Sequence, residues 1–117
     1  MTHDPKAHLF DIQRAGRHII AFTSEVTFEE YKNNYEKRSA VERQFMLVGE
    51  AMNRLFQDAP DIARRVTDYR SIIAFRNVLI HAYDQVNDEA VWEAIEESLP
   101  TLLAEVTALL EELDTRG

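Results

Sequence analysis

Four polar side chains lie close together in a stretch of the sequence that is otherwise apolar. Residues 76–83 read Arg-Asn-Val-Leu-Ile-His-Ala-Tyr, and the hydrogen-bonding members are Arg76, Asn77, His81 and Tyr83. An arginine among apolar residues is costly to bury unless it meets a carboxylate or a phosphate. We therefore expect this segment to bind such a partner, either within the protein or on a ligand.

The residue types in this segment suit acid–base chemistry at a phosphodiester. A histidine can take or give the proton of a hydroxyl group. An arginine can bind the non-bridging oxygens of a phosphate through paired hydrogen bonds and stabilise charge that develops there. Asn77 could orient the phosphate or the histidine. Metal-free cleavage of RNA by its own 2′-hydroxyl needs these functions, although composition alone does not single out that reaction.

Helical geometry restricts how the four side chains can meet. Arg76 and Tyr83 are seven residues apart, so a regular helix would place them on nearly the same face, with His81 about 140° away from Arg76. The arginine and the histidine could then converge in two ways. One is a helix break or π-bulge between them, and the other is a two-fold interface that brings in a second copy of the segment.

The charge distribution favours this segment as the place for an anionic ligand. The chain of 117 residues has a net charge of −8, which alone argues against nucleic acid. Residues 60–83, however, hold four arginines and two acids, whereas residues 84–117 hold ten acids and one arginine. We expect a locally basic cleft on an acidic protein.

Helix-period patterns run along the whole chain. The predicted helices begin at Asp4–Pro5, at the capping box Thr27–Glu30, near Glu36, near Asp61 and at Asn87 or Asp88. Three of them carry apolar stripes, at Leu9, Ile12, Gly16, Ile19 and Phe22, at Val41, Phe45, Val48, Met52 and Leu55, and at Val91, Ile95, Leu99, Leu102, Val106, Leu109 and Leu113.

These patterns predict an all-α fold in one domain over residues 1–117. The architecture is an up-and-down bundle of four to five helices, with the long C-terminal helix kinked near Pro100, which lacks a backbone donor. The stretch from Ile72 to Tyr83 is apolar nearly all round, so we expect it to be the central element.

Several other kinds of site are excluded by the composition. The chain has no cysteine, its four histidines have no metal-ligand spacing, and its three glycines are isolated rather than grouped in a phosphate loop. No duplex-DNA recognition helix, membrane span or signal pattern is evident. We expect a cytoplasmic protein with no metal, no cofactor and no DNA partner.

The segment resembles the R-N-x-x-x-H-x-Y signature of HepT toxins, which belong to the HEPN superfamily. Two flanking regions are also similar to that family. Val48-Gly49-Glu50-Ala51 looks like its Gly-Glu-Ala segment, and Val91-Trp92 with Leu99-Pro100-Thr101-Leu102 looks like its W…LP.L pattern. The resemblance covers roughly residues 4–113.

The resemblance implies the toxin of a type VII-like toxin–antitoxin pair, a metal-independent endoribonuclease with an active site at a homodimer cleft. Arg76 and His81 would be the catalytic pair, and Asn77 would support them. The partner would be a minimal nucleotidyltransferase antitoxin, MntA, which silences the toxin by transferring AMP to Tyr83. From the family's helix order we further infer that Glu50 pairs with Arg76 in the free protein.

Two other functions are compatible with the same residues. The chain could be a non-catalytic helical adaptor, or substrate-binding subunit, of a nucleotidyltransferase, with the segment used for docking or modification. It could also be a plain helical dimerisation domain whose arginine and histidine are structural. The last alternative predicts a segment that is buried, paired with carboxylates and closed to solvent.

Overall fold

The computed structural model describes residues 4–115, and among these residues it contains helices and no strand. The α-helices are α1 (Pro5–Thr23), α2 (Phe28–Lys32), α3 (Tyr35–Asp58), α4 (Pro60–Ala63), α5 (Tyr69–His81), α6 (Asp88–Glu93) and α7 (Leu99–Thr115). A 3₁₀ turn, Tyr83–Gln85, follows α5, and a π-helical turn, Ala94–Ser98, joins α6 to α7. The predicted all-α class is confirmed.

Four helices, α1, α2, α3 and α6, begin at side chains that satisfy free backbone N–H groups. Asp4 accepts from the backbone of Lys6, ahead of Pro5 at the first position of α1. Thr27 and Glu30 form the expected capping box of α2. Asn87, rather than Asp88, is the cap of α6 and accepts from the backbone N–H groups of residues 89 and 90.

The core lies mainly between α1 and the two long helices that pack against it, α3 and α7. Every member of the α3 stripe is buried, as predicted: Val41, Phe45, Val48, Met52 and Leu55. The other two stripes supply most of the remaining core, with Leu9, Ile12 and Ile19 from α1 and Leu99, Leu102, Val106 and Leu109 from α7. No helix within residues 4–115 is both long and apolar enough to cross a bilayer.

The predicted irregularity near Pro100 takes the form of a π turn. In this turn the N–H of Leu99 donates to the carbonyl of Ala94, five residues back rather than four. A proline cannot donate, and its ring clashes with the carbonyl four residues back in a regular helix. The wider turn falls directly before Pro100, and the chain then continues as α7.

Two expectations about the region after Asp61 are wrong. Instead of one continuous helix, α4 ends at Ala63, and α5 begins only after Asp68, which has a φ of 59° in the left-handed region. The stretch from Ile72 to Tyr83 is also not central, because Leu79 is the one buried residue of α5. This helix packs principally against α3, so its apolar residues are covered from one side.

Candidate active site

The polar segment lies at the C-terminal end of α5 and in the turn that follows. Arg76, Asn77 and His81 belong to α5, whereas Ala82 leaves the helix with φ −141° and ψ 42°. Tyr83 then begins the 3₁₀ turn. The expectation that Arg76 and Tyr83 share one helix face is therefore wrong, because the helix ends between them.

Arg76 is held between a carboxylate of α3 and its own neighbour. Its Nη2 lies 3.7 Å from Oε1 of Glu50, and its Nη1 donates to Oδ1 of Asn77 at 2.9 Å. Its Nε is buried without a hydrogen-bond partner among the described residues. The Arg76 side chain is 26% exposed, so the guanidinium is held by these contacts and is still partly accessible to solvent.

Gly49 makes this arrangement possible. A Cβ atom at this position would lie 2.2 Å from Cβ of Arg76 and 3.1 Å from the carbonyl oxygen of Ile72. Because glycine has no side chain, α5 can lie directly on α3 here. The next residue, Glu50, then lies close to the guanidinium. Gly49 therefore leaves room for Arg76, and Glu50 supplies its carboxylate partner.

His81 is the last residue of α5 and is exposed. It forms no hydrogen bond or ion pair with any residue between 4 and 115. Because α5 is α-helical from Tyr69 to His81, no π-bulge separates Arg76 from His81, and the two side chains leave the helix about 140° apart. The helix end comes after His81, so it does not bring the pair together within one chain.

Tyr83 is 74% exposed and lines an open groove against the first half of α3. The groove has a volume of about 490 Å³, and its α3 wall includes Tyr35, Arg38 and Arg43. Sequence reasoning did not single out these three residues. Nothing in their spacing indicated proximity to Tyr83, because the groove depends on how α5 ends.

The basic surroundings of Arg76 differ from those expected. Two of the four arginines in residues 60–83 face acids, with Arg64 3.4 Å from Asp61 and Arg65 bonded twice to Glu112, at 2.9 and 2.5 Å. Two further arginines lie on the face of α3 that carries Glu50.

These α3 cations are Arg43 and Arg54, which lie seven residues before and four residues after Glu50. These spacings place all three side chains on one face of α3. Both arginines are exposed and form no ion pair or hydrogen bond in the part of the chain that the structure describes.

One carboxyl group of the groove has a shifted pKa. Partial burial raises the pKa of Glu42 above its ordinary value of 4.5, and the negative charge of Asp88 raises it further, whereas Arg38 lowers it. Elsewhere in residues 4–115, no three or more histidine and acidic side chains cluster as metal ligands.

Comparison with known proteins agrees with the resemblance in the sequence. A sequence model of the family described as "Ribonuclease HepT-like" matches residues 12–109. The chain is 31% identical over 103 residues to "Putative RNase MJ1380" of Methanocaldococcus jannaschii, covering 88% of this chain and 94% of that protein. It is 30% identical over 102 residues to "Probable ribonuclease HepT" of Thermococcus cleftensis, covering 87% and 92%.

No solved structure was found to match the chain. The family match includes both Glu50 and the whole segment from Arg76 to Tyr83. This protein therefore belongs to the HepT-like ribonuclease family.

Proposed function

We propose that this protein is the toxin of a type VII-like toxin–antitoxin pair, acting in the cytoplasm as a metal-independent endoribonuclease. Arg76 and His81 form its catalytic pair, supported by Asn77 and Glu50. The observation that carries the proposal is the state of these side chains. Arg76 is held between Glu50 and Asn77 and is partly exposed, and His81 is exposed on the same short helix.

The chemistry is transesterification of the RNA backbone. The 2′-hydroxyl loses its proton to an imidazole and its oxygen attacks the adjacent phosphorus, while the 5′-oxygen leaves and takes up a proton. The products are a 2′,3′-cyclic phosphate and a 5′-hydroxyl. Arg76 donates hydrogen bonds to the non-bridging oxygens and stabilises the charge that accumulates on them.

We infer that the working site is built by two copies of the chain. In each of two equivalent sites, Arg76 of one copy would face His81 of the other copy, which accepts the proton of the 2′-hydroxyl and then donates a proton to the leaving 5′-oxygen. Arg76 and His81 leave one helix about 140° apart, so they cannot easily face the same phosphate within one chain. A second copy can supply the other member of the pair. The uncovered side of α5 supports this inference, because it exposes an apolar side chain, Val78, which is 38% exposed and which a second copy could cover.

The partner we propose is an MntA-like nucleotidyltransferase antitoxin that modifies Tyr83. The Tyr83 hydroxyl oxygen would attack the α-phosphorus of ATP, form a phosphodiester and release pyrophosphate. The 74% exposure of Tyr83 supports this step, because a second enzyme must reach the hydroxyl. The AMP group would add bulk and negative charge two residues from His81 and so repel RNA.

A non-catalytic adaptor for the same nucleotidyltransferase is the second candidate function. Two observations favour it. Tyr83 is exposed, as docking and modification require, and the net charge of −8 is no obstacle because an adaptor does not have to bind RNA. It differs from the toxin in one measurable respect, since it predicts AMP transfer to Tyr83 without any ribonuclease activity.

RNA cleavage by the purified protein tests the catalytic proposal. Arg76→Ala and His81→Ala should each abolish cleavage and the growth arrest caused by expression without a partner. Arg17→Ala and His18→Ala are matched controls, because both are exposed residues of α1 and should retain activity. If the wild-type protein cuts no RNA and its expression harms no cell, it is not a toxin of this kind.

Mass spectrometry after co-expression with the adjacent nucleotidyltransferase tests the modification. We expect one or more AMP units on the peptide that contains Tyr83, and none in Tyr83→Phe. Tyr35→Phe is the control, because Tyr35 is equally exposed, at 75%. AMP transfer accompanied by a complete lack of nuclease activity in the unmodified protein would favour the adaptor.

A further inference from the structure

The groove between α3 and the Tyr83 turn contains two exposed aromatic rings and an arginine that has no acidic partner. Tyr35 and Tyr83 are 75% and 74% exposed, although most large aromatic side chains of this chain are at least half buried. Arg43 is exposed and makes no hydrogen bond or ion pair in residues 4–115. Exposed rings beside a free guanidinium are typical of surfaces that bind single-stranded nucleic acid.

Arg38, the other guanidinium of the groove, already has partners within the protein. Arg38 lies over the Tyr35 ring, 5.6 Å from its centroid, and donates to the backbone carbonyl of Lys32. It also interacts with Glu42, which is close to Asp88. Arg43 is therefore the guanidinium that is available to an anion, and the two carboxylates can accept hydrogen bonds from hydroxyl or amino groups.

The groove adjoins the proposed catalytic residues at both of its walls. Tyr83 is two residues after His81, and Arg43 lies two helical turns, about 10 Å, before Glu50 on the same face of α3. An RNA strand that places one phosphate at Arg76 can thus place a neighbouring phosphate near Arg43. The volume of about 490 Å³ is within the usual range of small-ligand sites, about 300–1,000 Å³.

We propose that this groove is a subsite for one nucleotide of the single-stranded RNA substrate, next to the bond that is cut. Arg43 binds the phosphate, the Tyr35 ring stacks on the base, and Glu42 and Asp88 accept hydrogen bonds from the 2′-hydroxyl or an exocyclic amine. The inference rests on the proposed ribonuclease function. It adds the residues that bind the substrate outside the catalytic pair.

The subsite also accounts for the position of Tyr83. Tyr83 is one of the residues that line the groove, so a nucleotide-sized group attached to it would hinder the entry of a substrate nucleotide. Modification there would compete directly for the subsite, in addition to its effect on charge.

RNA binding by the full-length protein carrying His81→Ala tests the subsite, because the RNA then stays intact during the measurement. The probe is a fluorescently labelled single-stranded RNA of about ten nucleotides, within the range bound by single-strand binding domains. Arg43→Ala and Arg17→Ala are each added to this background. Both remove one exposed positive charge without removing a hydrogen bond or ion pair of the described residues.

We expect Arg43→Ala to weaken binding about tenfold, as for the loss of a hydrogen-bonded phosphate contact. The slope of log affinity against log salt concentration should become shallower by about 0.7, the value for one phosphate of a single strand. Arg17→Ala should leave both quantities nearly unchanged. Equal effects of the two variants would show that net charge alone is responsible and would overturn the subsite.

Variants of Tyr35 provide an independent test of the subsite. Tyr35→Ala should weaken binding at least fivefold, because stacking on one base is lost, and Tyr35→Phe should restore it. If Tyr35→Phe binds RNA as weakly as Tyr35→Ala, stacking is not the function of this ring.

The proposed function and the subsite can fail separately. Wild-type protein that cuts RNA, together with an Arg43→Ala variant that binds RNA normally, would contradict the subsite alone. Wild-type protein that neither cuts nor binds RNA would contradict both.

Discussion

Gly49 of α3 lies so close to Arg76 of α5 that a Cβ atom on the glycine would be 2.2 Å from the Cβ of the arginine. Real Cβ atoms do not approach other atoms to that distance, so a side chain here must move α5 away from α3. The contact lies beside Glu50, whose carboxylate is 3.7 Å from the same arginine. The position of the proposed catalytic arginine therefore depends on residue 49 being a glycine, which has no side chain.

Gly49→Ala should destabilise the fold and displace Arg76. Overpacking costs about 1–3 kcal/mol, which exceeds the gain of about 0.5–1 kcal/mol from replacing a helical glycine with alanine. Gly16→Ala is the matched control in α1, because its Cβ would meet the flexible end of Leu103 rather than backbone. Urea unfolding should show a clear loss for Gly49→Ala and little change for Gly16→Ala. Equal stability of the two variants would contradict the close approach.

Mixing two inactive variants should restore activity if the site is built by two copies. Arg76→Ala and His81→Ala should each be inactive alone, whereas in the proposed dimer a mixed pair would have one site with an intact arginine from one copy and an intact histidine from the other. Random exchange makes about half of the dimers mixed, with one working site of two, so about a quarter of wild-type RNA cleavage is expected. No recovery after subunit exchange would place the pair within one chain.

The helices and most of the core could be predicted because their signals are local. The stripe from Val41 to Leu55 repeats at the helical period, and Thr27–Glu30 is a cap that neighbouring residues complete on their own. The breaks around α5 could not be predicted in the same way. Asp68 adopts a left-handed conformation and Ala82 leaves the helix, although neither residue type requires it.

The residues of the candidate site also differ in whether a local sequence signal indicates them. Arg76 and His81 could be identified from one short segment, and Glu50 from the family's helix order. Arg43 and Tyr35 could not, because their proximity to Tyr83 depends on where α5 stops and on how closely it lies against α3. The apolar character of α5 was also misleading, since a helix that reads as central in the sequence is covered here on one side.

Glu50→Gln should strengthen RNA binding with little effect on stability. The carboxylate is 34% exposed and 3.7 Å from the guanidinium, and such partly exposed ion pairs contribute about 1 kcal/mol or less. Removing its charge frees Arg76 for phosphate, so RNA affinity on the His81→Ala background should rise about threefold. Glu111→Gln, on the exposed face of α7, is the control. Weaker RNA binding in Glu50→Gln would mean that the carboxylate orients Arg76 for the substrate instead.

Glu42→Gln should stabilise the protein at neutral pH and lose that advantage in acid. Burial and the nearby charge of Asp88 raise the pKa of Glu42 above 4.5, so the folded state favours the protonated carboxyl group. The stability that this group contributes is fully present below its unfolded pKa and is lost as the pH rises through its folded pKa. At pH 7 the charged carboxylate is therefore unfavourable, and a neutral amide of the same shape removes that penalty.

Urea unfolding at a series of pH values measures this effect. The free energy of unfolding of Glu42→Gln should exceed that of the wild type at pH 7, and the difference should shrink as the pH falls through the raised pKa of the folded state, reaching its smallest value below 4.5, where the carboxyl group is protonated in both states. Glu111→Gln again serves as the control, because it removes the same charge from an exposed position. A difference that is constant with pH would mean that packing, and not the charge of Glu42, separates the two proteins.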